Sequence, residues 1–361
     1  MAPGDVLFTA AGSIGLTYLV GPADEPACYA GYLARFRPNA SVLPEFVSYW
    51  AESCDFLVQA NANKVSSTID NLSASRLRGM KMPVPPISTQ RRVLDYLDPE
   101  TARIDALMNR KLSFIDLLLE KRTALIAHAV TKGLDQNAEL KDSGVSWFGY
   151  IPSHWPVVKL GLFARVMNGS TPSRSDPGYW LNGTIPWMSS GKVNEDRVNE
   201  PSELISGRAL AECSINMVPA GSVLIGLVGQ GRTRGTVALL EIDATINQNV
   251  AAIILGRQLD SRYLQYQLCH MYRPIREYGR GGNQAALNCE LVAELCLPLP
   301  PRDEQANIAR YLDAETAVID AFIEKTRSSV DLLREYRIAL ISAAVTGQIG
   351  IPGTETSEDV A

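Results

Sequence analysis

The sequence is poor in the residues that build metal centres and disulfide frameworks. It has six cysteines but no Cys-x-x-Cys pair, and its three histidines, at positions 128, 154 and 270, show no metal-ligand spacing. These absences argue against zinc ribbons, disulfide-stabilised secreted domains and histidine-based metal sites. We therefore expect a cytoplasmic protein with reduced cysteines.

Long apolar runs and phosphate-binding loops are also lacking. No apolar run approaches the roughly 18 residues of a membrane span, and the first residues lack the basic region of a signal peptide. There is no Gly-x-x-x-x-Gly-Lys-Ser/Thr loop for ATP, and Gly229-Gln230-Gly231 lacks the third glycine of a dinucleotide-binding loop. We predict a protein that is not an enzyme, has no catalytic, cofactor or metal site of its own, and does not bind a membrane.

The composition is that of an ordinary globular chain. Hydrophobic residues make up 46% of the 361 residues and charged residues 20%, and the net charge is −5. The length allows about two domains. The acidic balance argues against a simple polycationic nucleic-acid binder, although the arginines are unevenly distributed.

An internal repeat organises the chain. Residues 83–134 and 298–349 align without a gap, 215 residues apart, and about half of the positions are identical. Apolar residues at spacings of three and four predict a helix with a narrow heptad seam in each copy. Two such helices are predicted to pair as an antiparallel coiled coil. The predicted seam consists of Val93, Leu97, Ile104, Leu107, Ile115, Leu118, Leu125 and Ala129 in the first copy, and of Ile308, Leu312, Glu315, Ile319, Phe322, Thr326, Val330, Leu333, Arg337, Leu340 and Ala344 in the second.

A proline divides the first copy in this interpretation. Asp98-Pro99-Glu100 has the residues of a helix start, because Asp is a good N-cap and Pro is tolerated in the first turn. We expect a short helix near 88–97 and a long one from about 99 to 131, which would reach roughly 50 Å.

The other segments have the texture of mixed α+β domains. Residues 150–297 combine short β-rich runs, predicted as strands at 157–160, 222–228, 236–241 and 251–255, with a helix predicted at 261–278. Residues 1–82 resemble the second half of that segment: 1–12 parallel 217–229, 27–32 take the place of 245–250, and 71–73 parallel 286–288. Nothing in 1–82 matches 150–216. The predicted organisation is a partial first domain (1–82), a first helical repeat (83–134), a linker (135–149), a second domain (150–297), a second helical repeat (298–349) and an acidic tail (350–361).

The polar loops of the second domain are the candidate recognition elements. Arginine contacts guanine edges with two hydrogen bonds, Asn and Gln contact adenine, and glycine lets the backbone approach phosphate. Loops of this kind favour recognition of a polar polymer, without choosing nucleic acid over carbohydrate. The candidate DNA-binding residues are Thr171, Ser173, Arg174, Trp187, Ser189, Ser190, Lys192, Gln230, Arg232, Arg234, Arg280, Asn283 and Gln284.

Several motifs, in order, resemble the specificity subunit of type I restriction–modification systems. The opening of that family's target-recognition domain resembles IPSHWPVVKLG at 151–161, GSTPS at 169–173 and GTIPW at 183–187. Its close resembles GSVL at 221–224, Asn247-Gln248 and PLPP at 298–301 followed by Glu304-Gln305. With the duplicated helix, the resemblance covers nearly the whole chain.

The resemblance implies a non-catalytic subunit that gives a complex its DNA sequence specificity. Family members carry two target-recognition domains, each reading one half of a bipartite double-stranded DNA site, and two helices that set the spacing and dock two modification subunits. Restriction subunits join through the complex. Methylation and ATP-driven cleavage belong to the partners, so S-adenosylmethionine, ATP and Mg²⁺ are expected there and not on this chain.

This sequence departs from the family pattern in its first recognition domain, which is expected to be incomplete. Recognition of the first half-site is therefore in doubt. The alternative is a truncated scaffold that assembles modification subunits without productive DNA recognition.

Overall fold

The computed structural model describes residues 1–11, 16–24, 26–64, 71–229, 231–279 and 286–351. The chain forms two units. Unit 1 contains residues 1–116 and 322–361, and unit 2 contains residues 117–321. The division runs through the two long helices, so each helix contributes one part to each unit. The order of predicted segments along the chain is therefore not the order in which they pack.

Helices and strands alternate in both units. The helices are α1 (Pro44–Ala51), α2 (Cys54–Asn63), α3 (Ala74–Arg78), α4 (Ile87–Lys132), α5 (Gly207–Glu212), α6 (Ser261–His270), α7 (Tyr272–Tyr278), α8 (Cys289–Ala293) and α9 (Arg302–Val345). The strands are β1 (Val6–Thr9), β2 (Thr17–Leu19), β3 (Leu33–Phe36), β4 (Leu140–Asp142), β5 (Tyr150–Pro152), β6 (Val157–Lys159), β7 (Ala164–Asn168), β8 (Ile185–Met188), β9 (Arg197–Val198), β10 (Glu203–Ile205), β11 (Val223–Gly226), β12 (Val237–Leu240), β13 (Thr245–Ile246), β14 (Val250–Leu255) and β15 (Cys296–Pro298). The predicted mixed fold with two long helices is confirmed.

Pro99 does not start a helix. It lies inside α4, which runs for 46 residues without the predicted break at Asp98. A proline in a helix interior costs about 3 kcal/mol because it removes one backbone hydrogen bond and crowds the preceding turn. Here Leu97 and Ile104, on either side of the proline, are buried against the C-terminal part of α9. Packing along the whole helix outweighs this local cost.

The two long helices pack antiparallel in each unit. In unit 1 the first part of α4 shares a core with the last part of α9, and Arg337 Nε lies 2.9 Å from Asp105. In unit 2 the last part of α4 packs with the first part of α9, and Arg122 Nε lies 3.0 Å from Asp320. The predicted antiparallel pairing is therefore present within both units.

The seam differs from the prediction by one residue at equivalent places in the two copies. Leu107 and Phe322 are exposed, and their neighbours Met108 and Ile323 face the core. Glu315 is exposed as well, since Thr316 takes the buried position. Two consecutive spacings of four, at Ile308, Leu312 and Thr316, shift the register. Sequence alone favoured the larger apolar side chain at each ambiguous step.

Unit 2 is built on a five-stranded sheet in the order β7-β14-β11-β12-β9. One face packs on the helices around the buried Trp155, Tyr263 and Leu312. The other face is covered by a second apolar layer that includes Met188 and Ile246, which belong to the three-stranded sheet β10-β8-β13. The four predicted strands are present with slightly shorter or shifted bounds as β6, β11, β12 and β14.

Two predicted segments of unit 2 differ in detail from the structure. The helix expected at 261–278 is divided at Met271 into α6 and α7, and Pro274 lies in the first turn of α7, where its missing N–H has no helical partner to lose. The expected linker at 135–149 contains β4, which pairs with β5, and its Phe148 is buried in the core of unit 2. The linker is therefore an integral part of this unit.

Unit 1 repeats the central part of the unit 2 sheet. Its three strands have the order β2-β1-β3, as β12-β11-β14 do, and Gly4 and Gly221 occupy equivalent turns with the same φ of 86°. Pairing of Val6 with Phe36 and of Val223 with Ile253 fixes the equivalence. The proposed match of 27–32 with 245–250 is therefore displaced by one residue.

The exposed face of the unit 1 sheet is polar where that of unit 2 is apolar. Arg35 and Arg37 stand at the positions of Ala252 and Ile254, which unit 2 covers with its second layer. Among the described residues of unit 1 no second layer covers this face. The side chains suit solvent there, since both arginines surround the buried carboxylate of Asp5.

Asp5 gives unit 1 a pH-dependent part of its stability. Hydrogen bonds from Arg37, at 2.6 and 2.8 Å, lower the pKa of Asp5 to about 2 from 3.8. The folded state therefore gains stability at pH values above about 4, and this gain is lost as the pH falls through about 2. We expect Asp5→Asn to lower the stability of unit 1 at pH 7 by about 2 kcal/mol, with the difference from the original chain disappearing near pH 2. Acid titration of unfolding tests this, with the exposed Asp95→Asn as the control that should change little.

Candidate nucleic-acid interface

Three loops of unit 2 leave the five-stranded sheet at the same end. Residues 169–175 follow β7, residues 227–236 follow β11, and residues 247–249 precede β14. The pairs Gly226–Val250 and Ala251–Asn168 place these strand ends side by side. We call the surface formed by these loops, together with residues 189–192, the loop end of unit 2.

The backbones of these loops are joined by hydrogen bonds. Gly169 N–H donates to the carbonyl of Asn247 at 3.3 Å, and Leu227 N–H donates to the carbonyl of Asn249 at 2.9 Å. A Cβ on Gly169 would lie 1.7 Å from the carbonyl oxygen of Ile246. Only glycine allows this approach, so the glycine of the GSTPS motif sets the position of the loop that follows.

Gln248 belongs to the loop end, and residue-by-residue reasoning did not select it. Its exposed side chain accepts a hydrogen bond of 2.5 Å from the Thr171 hydroxyl, which joins two loops that lie 77 residues apart in sequence. The Asn247-Gln248 dipeptide was visible in the sequence only as a motif. Its contact with Thr171 requires the pairing of β14 with β7, which only the fold provides.

Arg174 is held by side-chain partners. Its guanidinium stacks 3.6 Å from the ring centre of Trp180 and donates to both carboxylate oxygens of Glu203 at 2.6 and 2.7 Å. These hydrogen bonds raise the pKa of Arg174 and lower the pKa of Glu203. A bidentate contact of Arg174 with a guanine therefore requires exchange of the carboxylate for the base. Ser173 lies next to it and its hydroxyl is 2.7 Å from that of Ser175.

Trp187 has a buried side chain. It is 3% exposed, its indole N–H donates to the carbonyl of Ser170 at 3.1 Å, and its ring meets Trp180 edge-on at 5.4 Å. In this structure the indole offers no free edge to a ligand. Its contacts position the 169–175 loop from behind.

The next predicted stretch follows β8 and reaches the same end of the sheet. Asn247 N–H donates to the carbonyl of Met188 at 3.0 Å, which places Ser189 beside the 247–249 loop. Ser189 N–H donates to the Ser202 hydroxyl, and Ser190 begins a short 3₁₀ helix that contains Lys192. The ammonium of Lys192 pairs with Glu195 at 2.8 Å.

Arg232 and Arg234 lie on the longest of the loops. Arg232 is exposed, and its carbonyl accepts a hydrogen bond of 2.9 Å from the Tyr272 hydroxyl. Arg276 donates to the carbonyls of Gly231 and Arg234, both at 2.9 Å. Arg276 was noted in the sequence only as one of several clustered arginines. In the structure its guanidinium fastens the arginine loop to α7.

Four predicted residues, Gln230, Arg280, Asn283 and Gln284, lie outside the described residues. The flanking chain shows where their segments attach. Leu287 N–H donates to the carbonyl of Leu227 at 2.9 Å, at the start of the arginine loop. The nine described candidates fall into two groups, with Arg232 and Arg234 on one loop and the other seven around residues 170–192.

A search of the described ranges for groups of three or more His, Cys, Asp or Glu side chains able to hold a metal ion finds none. In the same ranges no helix combines the length and the hydropathy that crossing a bilayer requires.

Comparison with known sequences gives a consistent result. The model of the type I restriction modification DNA specificity domain matches residues 2–116 and 152–330. The chain is 25% identical over 217 residues to the type I restriction enzyme EcoR124I/EcoR124II specificity subunit of Escherichia coli, a match covering 58% of this chain and 51% of that subunit. It is 24% identical to the putative MjaX specificity subunit of Methanocaldococcus jannaschii, with 96% and 79% covered. The chain thus spans about half the length of the first of these relatives.

Two solved structures share the fold. A chain from a study of complex assembly and conformational transition of the type I R-M system superposes with a TM-score of 0.77 at 19% identity, covering 97% of this chain and 83% of that one. The HsdS subunit of Thermoanaerobacter tengcongensis gives a TM-score of 0.52 at 20% identity, with 97% and 82% covered. At this level of identity the two structures support the fold.

Proposed function

The chain belongs to the type I restriction modification DNA specificity family, and from this premise we propose that it is a non-catalytic subunit whose loop end in unit 2 reads one half of a double-stranded DNA target. The observation that carries the proposal is the convergence of the loops at 169–175, 189–192, 227–236 and 247–249 on one end of the sheet. Separate loops on a rigid sheet can contact phosphates and base edges together.

The polar side chains of the loop end suit this role. Gln248 and Thr171 offer an amide and a hydroxyl, and Arg232 offers an exposed guanidinium. Gln recognises adenine and Arg recognises guanine through paired hydrogen bonds in the major groove. We assign Trp187 and Arg276 to positioning, since their polar groups are engaged with loop carbonyls.

The net charge of −5 is compatible with DNA binding by this surface. Lys192 and Arg174 are paired with carboxylates, so Arg232 and its loop give the loop end its positive charge. Much of the salt-dependent affinity then has to come from basic partner subunits.

The long helices supply the proposed docking surfaces for modification subunits. Large apolar side chains are exposed on them in both units: Phe322, Leu332 and Tyr336 in unit 1, and Leu117 and Val318 in unit 2. Because the helical repeat occurs twice, we propose two equivalent modification subunits, with restriction subunits joining through the complex. S-adenosylmethionine, ATP and Mg²⁺ are then bound by these partners.

A second candidate function is a scaffold that assembles modification subunits without productive recognition at unit 1. The polar sheet face around Arg35 and Arg37, in place of the apolar face that supports the second layer in unit 2, favours it. Co-purification with a modification subunit without sequence-specific methylation would select the scaffold. Methylation at a defined sequence would exclude it.

Arg232→Ala tests the DNA-reading surface. The chain is co-expressed with its modification subunits, and the target is determined from the methylated positions of host DNA. If Arg232 reads a base, the variant should bind the target about 1–3 kcal/mol more weakly while its affinity for unrelated duplexes changes little. Binding titrations at fixed salt with both duplexes measure this.

Arg257→Ala is the matched control. Arg257 is equally exposed but follows β14 at the opposite end of the same sheet. It should leave both affinities unchanged. An unchanged affinity for the target in Arg232→Ala, or an equal loss in Arg257→Ala, would remove this loop from the recognition surface.

A further inference from the structure

In unit 2, an extended segment closes the side of the domain. Residues 156–168 run between β14, α8 and β15: β7 pairs with β14, β6 pairs with β15, and Leu160 N–H donates to the carbonyl of Leu295 at 2.8 Å. Leu160 is buried in the core there. The segment supplies both the outer strand of the sheet and an apolar plug.

The equivalent place in unit 1 is an open groove of about 270 Å³. It is lined by Phe8, Phe36, Trp50, Leu77 and Met82, among others. Their exposure shows what is missing, since Phe36 is 45% exposed whereas Ile253 at the equivalent pairing position is fully buried. We call this surface the unit 1 groove.

Leu77 and Met82 show the same difference. Both are only partly buried, whereas Val292 and Leu297, the residues 215 positions later, are buried by the closing segment of unit 2. The unit 1 groove therefore exposes side chains of the kind that a core covers. Apolar surface of this kind marks a binding site.

One edge of β3 lies along this groove. β1 pairs with β3 on one side, and within the described ranges no strand pairs with the other side, where β7 pairs with β14 in unit 2. An unpaired edge presents backbone N–H and C=O groups to which an extended peptide can add. The shape of the groove thus favours a strand.

Charge distinguishes this groove from its counterpart. Arg35 and Arg37 alternate along β3 on the face opposite the groove, and Asp5 is the one carboxylate that the two arginines share. Arg78 also lines the groove. Unit 2 has Ala252 and Ile254 in place of the two arginines. A strand added to β3 is therefore favoured when it carries acidic residues opposite Arg35 and Arg37.

We infer that the unit 1 groove binds an extended segment of another polypeptide chain as an added β-strand. The segment has apolar residues directed at Phe36 and Met82, in the pattern of residues 156–168, and acidic residues opposite Arg35 and Arg37. This interaction surface is separate from the loop end of unit 2 and does not depend on DNA recognition.

Labelled peptides with the sequence of residues 156–168 test the inference on the full chain. Arg165 and Met167 pair with Ile254 and Ala252, the counterparts of Arg37 and Arg35. A peptide with Arg165→Glu and Met167→Glu should therefore bind at least about tenfold more tightly than one with Arg165→Lys and Met167→Lys. Fluorescence anisotropy measures both dissociation constants. Equal affinities, or no saturable binding of the acidic peptide, would overturn the inference.

A substitution in the groove shows where the peptide binds. Ala74 is exposed at the start of α3 and lines the groove, so Ala74→Trp should fill it and weaken binding of the acidic peptide at least about tenfold. Ser75→Trp, on the next exposed residue and outside the lining, is the control and should keep the affinity. Circular dichroism of both variants verifies that they fold alike. Binding that survives Ala74→Trp unchanged would contradict the assignment.

Discussion

Gly169→Ala is expected to abolish specific DNA binding through unit 2 and to destabilise that unit by at least about 3 kcal/mol. The added methyl carbon would lie 1.7 Å from the carbonyl oxygen of Ile246, against backbone that a rotamer change cannot move. The loop must shift or the pairing of β7 with β14 must open. Either response separates Thr171 from Gln248 and disorganises the loop end.

The measurement combines thermal unfolding with DNA-binding titration of the assembled complex. Gly207→Ala is the matched control, because a Cβ at Gly207 meets no atom within 4 Å and the residue begins α5 in the same unit. It should change stability by less than about 0.5 kcal/mol and leave DNA binding intact. A Gly169→Ala chain with the original stability and affinity would show that the loop does not depend on this close approach.

Gln90→Leu and Gln305→Leu are expected to destabilise different units, each by about 3 kcal/mol. The two glutamines are 215 residues apart and fully buried, and each bridges three backbone groups. Gln90 accepts from Leu43 N–H and donates to the carbonyls of Ser41 and Pro85. Gln305 accepts from Asp260 N–H and donates to the carbonyls of Gln258 and Pro300.

Leucine has a similar volume but no polar group, so it leaves buried backbone groups without partners. Hydrogen exchange resolves the two effects: Gln90→Leu should reduce amide protection in unit 1 and Gln305→Leu in unit 2. The exposed Gln348→Leu, just beyond α9, is the control and should leave protection unchanged. Uniform loss of protection in both units from either variant would show that the units do not unfold separately.

These glutamines show how the repeat was detected and what it concealed. The aligned sequence contains both glutamines, but their partners lie in segments offset by 217 residues instead of 215, so no ungapped comparison finds them. The same two-residue change separates Tyr49 from Tyr266, which contact Asp98 and Asp313 in the two copies at 2.8 and 2.7 Å. The structure therefore extends the repeat from the helices into the sheets.

The loop end was predictable as a set of loops and unpredictable as a surface. Short polar motifs at 169–173, 189–192 and 229–235 identified segments that do reach one end of the sheet. Whether a side chain faces solvent depends on packing: Trp187 is buried, Arg174 is paired with Glu203, and Gln248 is exposed. No local pattern distinguishes these outcomes.

The sequence by itself determined the family, the duplicated helix and the mixed α+β class, because repeated identity and apolar periodicity are properties of the chain. Tertiary structure alone decided that α4 continues through Pro99, that the seam follows Met108 and Ile323, and that unit 1 exposes a groove that unit 2 fills. The physical reason is that each of these outcomes depends on burial against residues distant in sequence. Such packing can outweigh a proline's local cost and can choose between two neighbouring apolar side chains.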